Sequence, residues 1–135
     1  KHWKKTKLQK NALQVLKKIH SSTINQSILS AQENNQLNRF IDFYNIRKYF
    51  NNIIGLNNKK AEGKIEKGKQ LLSELNLSNE NILLIGDTNY DYSIARKLKI
   101  DCILFNGGHQ SEKILSKACN KVIFSLETIL KILKI

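Results

Sequence analysis

The sequence predicts an α/β protein in three layers, with a parallel β-sheet between two layers of helices. Short apolar runs alternate with longer stretches in which apolar residues recur at helical spacing. The run Ile82–Ile85 has no polar alternation, which is typical of a strand buried on both faces. Each pair of neighbouring runs is separated by enough residues for a crossover helix, as parallel strands require.

The first third of the chain reads as helix, strand and helix. A helix is predicted over Lys4–Ile19, where apolar residues at helical spacing alternate with lysines. A strand is predicted over Ile24–Leu29, ending at Ser30, and a second helix over Asn34–Tyr44. This order places Ser30 at the carboxyl end of a strand.

The middle of the chain repeats this order. Ile46–Phe50 is predicted to be an irregular or helical turn, Asn52–Leu56 a strand, Asn57–Gly63 a polar loop and Lys64–Leu75 a helix. Gly68 costs about 1 kcal/mol against alanine inside that helix, which indicates close packing against a neighbour.

A strand-to-helix turn follows, between Ile82–Ile85 and a helix predicted over Asn89–Leu98. The turn carries Asp87, and Thr88 with Asp91 fits a variant of the capping box. A carboxylate delivered by a buried strand into a tight turn is a common component of metal and phosphate sites.

The last third contains two more strands and two more helices. The strands are predicted over Asp101–Phe105 and Val122–Phe124, with a turn at Asn106–His109 and a helix over Ser111–Ala118. Ser125 is predicted to cap the terminal helix.

Composition limits the possible functions. The 135 residues suffice for one domain, predicted to span 1–135, and no apolar run approaches the length of a membrane span. The net charge of +12 comes from dispersed lysines with few arginines, which disfavours nucleic-acid binding but could steer an anionic substrate. Cys102 and Cys119 form no CxxC motif, so a reducing, cytoplasmic setting is expected.

In a parallel sheet, ligands bind beyond the carboxyl ends of the strands. Ser30, the loop after Leu56, Asp87 and Asn106–His109 all fall at such ends. Asp87 supplies a hard oxygen ligand of the kind that Mg²⁺ prefers.

The order Ser30, Lys64 and Gly86-Asp87-Thr88-Asn89-Tyr90-Asp91 resembles motifs two, three and four of the haloacid dehalogenase (HAD) superfamily of phosphohydrolases. The similarity is to the phosphoglycolate-phosphatase-like branch and covers nearly the whole chain. It implies a Rossmann-like core, an Mg²⁺ cofactor and hydrolysis of a small phosphorylated metabolite through an aspartyl-phosphate.

The resemblance also implies roles for single residues. Asp87 would be a direct metal ligand, and Asp91 would orient a metal-bound water or the nearby lysine; alternatively, Asp91 only complements the helix dipole. Ser30, with the backbone N–H of Ala31, would bind a phosphoryl oxygen, although a serine here could also cap the following helix.

Lys64 would neutralise the transferring phosphoryl group. Relatives often have Lys-Pro at this motif where this chain has Lys64-Ile65, and three other lysines compete for the role: Lys59, Lys60 and Lys67. Thr88 and Asn89 could line the site, and His109 either touches substrate or is an ordinary loop residue.

The nucleophile motif of the superfamily, Asp-x-Asp-x-Thr, does not occur in the sequence. Asp42 lies in a helix and Asp101 at the start of a strand, so neither can replace it. Because the chain begins with lysine and contains no methionine, we expect it to be part of a longer protein. The central strand and most of the cap would then lie elsewhere, leaving this chain inactive and marginally folded. The alternative is a non-catalytic relative that acts as a binding module.

Overall fold

The computed structural model describes residues 8, 10–56, 63–106 and 121–135. Its helices are α1 (Ala12–His20), α2 (Asn34–Phe43), α3 (Lys64–Leu75), α4 (Asn89–Leu98) and α5 (Glu127–Ile132). Its strands are β1 (Ser27–Glu33), β2 (Asn52–Leu56), β3 (Leu83–Gly86), β4 (Asp101–Phe105) and β5 (Val122–Ile123).

All strand pairs in the described part of the chain are parallel, which confirms the predicted fold class. They form two sheets, one with the order β1–β2 and one with the order β3–β4–β5. Within the described ranges, β1 and β3 each pair on one edge only.

Helices cover both faces of these sheets. On one face, α1 and α5 pack against β4 and β5, and Ile103 and Ile129 lie in the core between them. On the same face, α2 packs Leu37 and Ile41 near Ile28 of β1. On the other face, α4 packs Ala95 against β4. The result is the three-layer arrangement that the sequence predicts.

Two helices connect the sheets. On one face, α1 directs Leu16 to the β1–β2 core and Val15 to the β3–β5 core. On the opposite face, α3 packs on β1, on β2 and on α4. A Cβ at Gly68 would lie 2.9 Å from Leu98 Cδ1, so the predicted close packing at this glycine is confirmed.

The sequence located the middle elements well. The bounds of β2, α3, α4 and β4 match the prediction, and a single 3₁₀ turn, Arg47–Tyr49, lies inside the predicted irregular segment. Gly, Asn and polar clusters mark these boundaries, so local sequence suffices to find them.

The first helix begins later than predicted. Leu8, Lys10 and Asn11 are not helical, and α1 starts at Ala12. Asn11 has a left-handed backbone with φ 68°, which stops the helix from extending toward the N-terminus. The rest of the predicted extension, Lys4–Lys7, lies outside the described residues.

The first strand lies further along the chain than predicted, at Ser27 to Glu33. Gln26 precedes it and donates its side-chain amide to the carbonyls of Leu16 and Tyr49. The prediction that Ser30 could cap the next helix is wrong: Glu33 is the cap, and its carboxylate accepts from the N–H groups of Asn35 and Gln36.

Smaller differences concern the later strands. Each end of β3 lies one residue later than predicted, and β5 ends at Ile123, with Phe124 exposed. The N-cap of α5 is Leu126 and not the predicted Ser125, although Ser125 Oγ accepts from the N–H of Glu127, the first residue of the helix.

Several predicted features lie outside the described residues: the polar loop 57–62, the turn at 107–109 with His109, the helix 111–118 and Cys119. No helix among the described residues is long and apolar enough to cross a membrane.

Candidate active site

The turn between β3 and α4 is fixed by a reciprocal capping box. Thr88 Oγ1 accepts from the N–H of Asp91 at 3.3 Å, and Asp91 Oδ2 accepts from the N–H of Thr88 at 3.1 Å. The local sequence predicts this motif, and the structure confirms it.

Asp91 organises the whole turn. Besides the N–H of Thr88, its Oδ2 accepts from the backbone N–H of Asp87 at 3.0 Å and from Thr88 Oγ1 at 3.1 Å. Because the carboxylate holds the backbone of Asp87 directly, it fixes where the Asp87 side chain leaves the strand.

The second oxygen of Asp91 reaches a different element. Lys64 Nζ lies 3.1 Å from Asp91 Oδ1, and the two side chains are only 11% and 13% exposed. Lys64 is the first residue of α3, 27 positions earlier in the chain. The structure thus places Lys64, rather than Lys67, at the motif-four turn; Lys59 and Lys60 lie outside the described residues.

The surroundings of Asp91 act on its pKa in opposite directions. Burial by itself raises the pKa of the Asp91 carboxyl. The charge and hydrogen bond of Lys64, with the bonds from Asp87 and Thr88, outweigh burial and hold the pKa of Asp91 below its usual value. Asp91 therefore remains ionised near neutral pH.

Gly86 makes room for this carboxylate. A Cβ at Gly86 would lie 2.3 Å from Asp91 Cβ and 2.6 Å from its Oδ2, far inside contact distance. A glycine is therefore required by space before Asp87.

Ser30 lies on the neighbouring sheet, in a bulge of β1. The regular pairs with β2 end at Leu29 and resume at Glu33, so Ser30 and Ala31 interrupt the ladder. Ser30 Oγ accepts from the N–H of Gln32 at 3.0 Å, which leaves the hydroxyl proton to donate to a ligand. Ala31 lies three residues before the start of α2.

Sequence reasoning missed the residues that shape this bulge. A Cβ at Gly55 would meet the backbone at 2.8 Å, both at Asn34 Cα and at the carbonyl of Gln32. Gly55 also donates its N–H to Asn34 Oδ1. A glycine inside the short strand β2 was the available signal, since such a glycine often marks a close backbone approach.

The other aspartates stand apart from this group. Asp42 is exposed on α2 and pairs with Arg47 at 2.8 Å. Asp101 begins β4 opposite Leu83, so it lies at the amino end of the sheet, away from Asp87. The exclusion of both as nucleophiles agrees with these positions.

The residues fit a magnesium ion in part. Asp87, half-buried at the end of β3, offers a hard carboxylate at a strand end. Asp91 is already committed to four hydrogen bonds. Among the described residues, no group of three or more acidic, histidine or cysteine side chains could hold a metal. The described residues by themselves therefore do not complete a metal site.

A sequence profile of the haloacid dehalogenase-like hydrolases matches residues 1–105. The chain belongs to this family. The predicted membership is confirmed, and the fold is that of HAD-family phosphatases.

Solved structures agree on the fold. A protein assigned as a phosphatase from Clostridium difficile superposes with a TM-score of 0.91 at 22% identity, covering 98% of this chain and 63% of its own. A predicted phosphoglycolate phosphatase from Haemophilus somnus gives 0.82 at 16% identity, covering 93% and 57%. Protein Tyrosine Kinase A of Mycobacterium tuberculosis gives 0.81 at 15% identity, covering 98% and 63%.

This chain therefore spans about three fifths of the length of the similar structures. The comparison with curated proteins finds no match.

Proposed function

We propose that this chain carries most of the phosphoryl-binding half of an Mg²⁺-dependent phosphatase, whose substrate is a small phosphate monoester similar to phosphoglycolate. The observation that carries the proposal is the buried contact between Lys64 and Asp91, beside Asp87. A cation from one helix, held at a carboxylate-bearing strand end, matches the charge of a transferring phosphoryl group.

Each residue has a physical task in this proposal. Asp87 would hold Mg²⁺, and the ion would supply charge neutralisation for the phosphate. Lys64 Nζ, fixed by Asp91, offers its other protons to a phosphoryl oxygen. Ser30 donates its hydroxyl proton to a second oxygen, with the N–H of Ala31 as a further donor. Thr88 holds the turn.

The nucleophile is proposed to come from outside the 135 residues. A parallel strand pairing with the edges of β1 and β3 that no described strand occupies would lie between Ser30 and Asp87. Ile85 of β3 is 40% exposed, although it belongs to a strand that reads as buried on both faces. An aspartate at the carboxyl end of such a strand would face both Lys64 and Asp87, and it would form the aspartyl-phosphate.

The test is hydrolysis of p-nitrophenyl phosphate by the full-length protein that contains this chain. We expect turnover that requires Mg²⁺ and is lost on chelation. Asp87→Asn should abolish it, whereas the matched exchange Asp42→Asn should leave it unchanged. Activity retained in Asp87→Asn would contradict the proposed metal site, and turnover by the isolated 135 residues would contradict an external nucleophile.

A second candidate is a non-catalytic HAD-fold protein that binds a phosphorylated ligand. Two observations favour it: the sequence has no nucleophile motif, and the described residues hold only part of a metal site. Protein Tyrosine Kinase A also shows the same fold in a protein named for another activity. Saturable binding of inorganic phosphate without turnover in the full-length protein would favour this candidate.

A cytoplasmic location and a lack of nucleic-acid binding also remain proposals. A cytoplasmic setting agrees with Cys102, which is a small buried residue of the core. Weak, strongly salt-dependent binding to DNA would fit charge alone, whereas tight binding at physiological salt would contradict the second proposal.

A further inference from the structure

Gly68 lies in α3 four residues after Lys64, on the same face of the helix. Its backbone has an ordinary helical conformation, since the one glycine with positive φ among the described residues is Gly63. Backbone conformation thus does not require glycine at position 68, and the reason must be space.

The space is filled from two sides. A Cβ at Gly68 would lie 2.9 Å from Leu98 Cδ1 of α4 and 3.3 Å from Leu29 Cδ2 of β1. Leu98 belongs to the helix that carries Asp91, and Leu29 directly precedes Ser30. At this point α3 therefore touches both elements that bear the other site residues.

Lys64 is one helical turn away, so its position depends on how closely α3 approaches α4. Ordinary contacts begin at 3.4 Å, so an added Cβ would displace α3 or Leu98 by about 0.5 Å. The Lys64–Asp91 distance of 3.1 Å leaves little room for such a displacement before the hydrogen bond lengthens.

We infer that Gly68 is a positioning residue for Lys64: its missing side chain lets α3 pack against Leu98 and Leu29 closely enough for Lys64 to reach Asp91. The inference rests on the proposed function only where it concerns turnover. The geometric part concerns the Lys64–Asp91 contact itself and can be tested without activity.

The test is lysine footprinting of the full-length protein with acetic anhydride, read out by mass spectrometry. Lys64 is buried against Asp91, whereas the Lys69 side chain on the same helix is 60% exposed and serves as an internal reference. In Gly68→Ala we expect the Lys64/Lys69 labelling ratio to rise roughly threefold, because the ion pair is weakened.

The double variant Gly68→Ala/Leu98→Val should restore the ratio, since valine removes the Leu98 methyl group that the new Cβ would meet at 2.9 Å. Ile129→Val, in the core between α1 and α5, is the matched control for general loosening and should leave the ratio unchanged. Alanine is the better helix former, which offsets part of the overpacking cost of Gly68→Ala, so the variant should still fold.

In the phosphatase assay, Gly68→Ala should lower kcat roughly tenfold with KM nearly unchanged. The double variant should recover the wild-type kcat. An unchanged labelling ratio in Gly68→Ala would overturn the inference, and so would an equal rise in Ile129→Val. If the wild-type protein has no phosphatase activity but the ratio behaves as expected, the proposed function fails and the role of Gly68 stands.

Discussion

The turn between β3 and α4 is held by side chains, whereas the bulge at the end of β1 is held by backbone packing. In the turn, the Asp91 carboxylate and the Thr88 hydroxyl make the bonds that fix Asp87. In the bulge, Gly55 lets β2 approach the backbone at Gln32 and Asn34, and the Ser30 side chain makes one local bond.

Because of this difference, substitutions in the two regions should affect folding stability and ligand binding to different degrees. Substitutions in the turn should cost stability because the side chains there support the fold. At the bulge, the Ser30 side chain should matter for ligand binding and little for folding, while the glycine behind it should matter for folding. The following predictions test that contrast.

The largest loss is expected for Asp91→Ala. It leaves the buried Lys64 ammonium unpaired and removes half of the capping box, which should lower the free energy of unfolding by about 3 kcal/mol. Chemical denaturation of the full-length protein measures this free energy of unfolding. Asp42→Ala breaks an exposed pair and serves as the control with little expected change; equal losses in the two variants would contradict the assignment.

Acidification should weaken the same bonds. The folded-state pKa of Asp91 is lowered, so its stabilising effect is complete above the pKa of the unfolded chain. That effect is lost as the pH falls through the lowered folded-state pKa. Denaturation midpoints between neutral and acidic pH should therefore fall less steeply in Asp91→Asn than in the wild type, and parallel curves would refute this.

Gly55→Ala should come next, with a loss of about 2 kcal/mol from overpacking against backbone that cannot move away. Thermal denaturation provides the measurement. The comparison variant is Gly68→Ala, where the nearest atom is the tip of the Leu98 side chain and a smaller loss is expected. A larger loss at Gly68 would show that the bulge is not rigid.

Thr88→Ala should cost about 1 kcal/mol, the usual value of an N-cap. The exposed Thr23 offers the matched exchange Thr23→Ala, which should have no effect. Comparable denaturation midpoints for the two variants would mean that the capping box contributes nothing to stability.

Ser30→Ala should have the smallest effect on stability, within about 0.5 kcal/mol, because it removes one hydrogen bond to Gln32. Hydrolysis of p-nitrophenyl phosphate should nevertheless fall roughly tenfold or more, since a phosphoryl hydrogen bond is lost. Ser27→Ala, at the other end of β1, also removes one side-chain hydrogen bond but should leave hydrolysis unchanged. A large loss of stability with unchanged hydrolysis would reverse the proposed contrast.

Local sequence was sufficient wherever neighbouring residues determine the geometry. Thr88 and Asp91 are three residues apart, and the capping box they form depends on no other part of the chain. The bounds of β2, α3, α4 and β4 follow from apolar periodicity and flanking turn residues. The polar residues at strand ends follow from the parallel topology, because carboxyl ends share one edge.

Tertiary structure decided what depends on distant atoms. The contact of Asp91 with Lys64, rather than with Lys67, depends on how α3 packs against α4, and it brings together residues 27 positions apart. The bulge of β1 lies where β2 approaches closely at Gly55, an approach that the pairing of the two strands sets. Hydrogen bonds across a turn can be read from the sequence, whereas close packing between elements depends on how their surfaces meet.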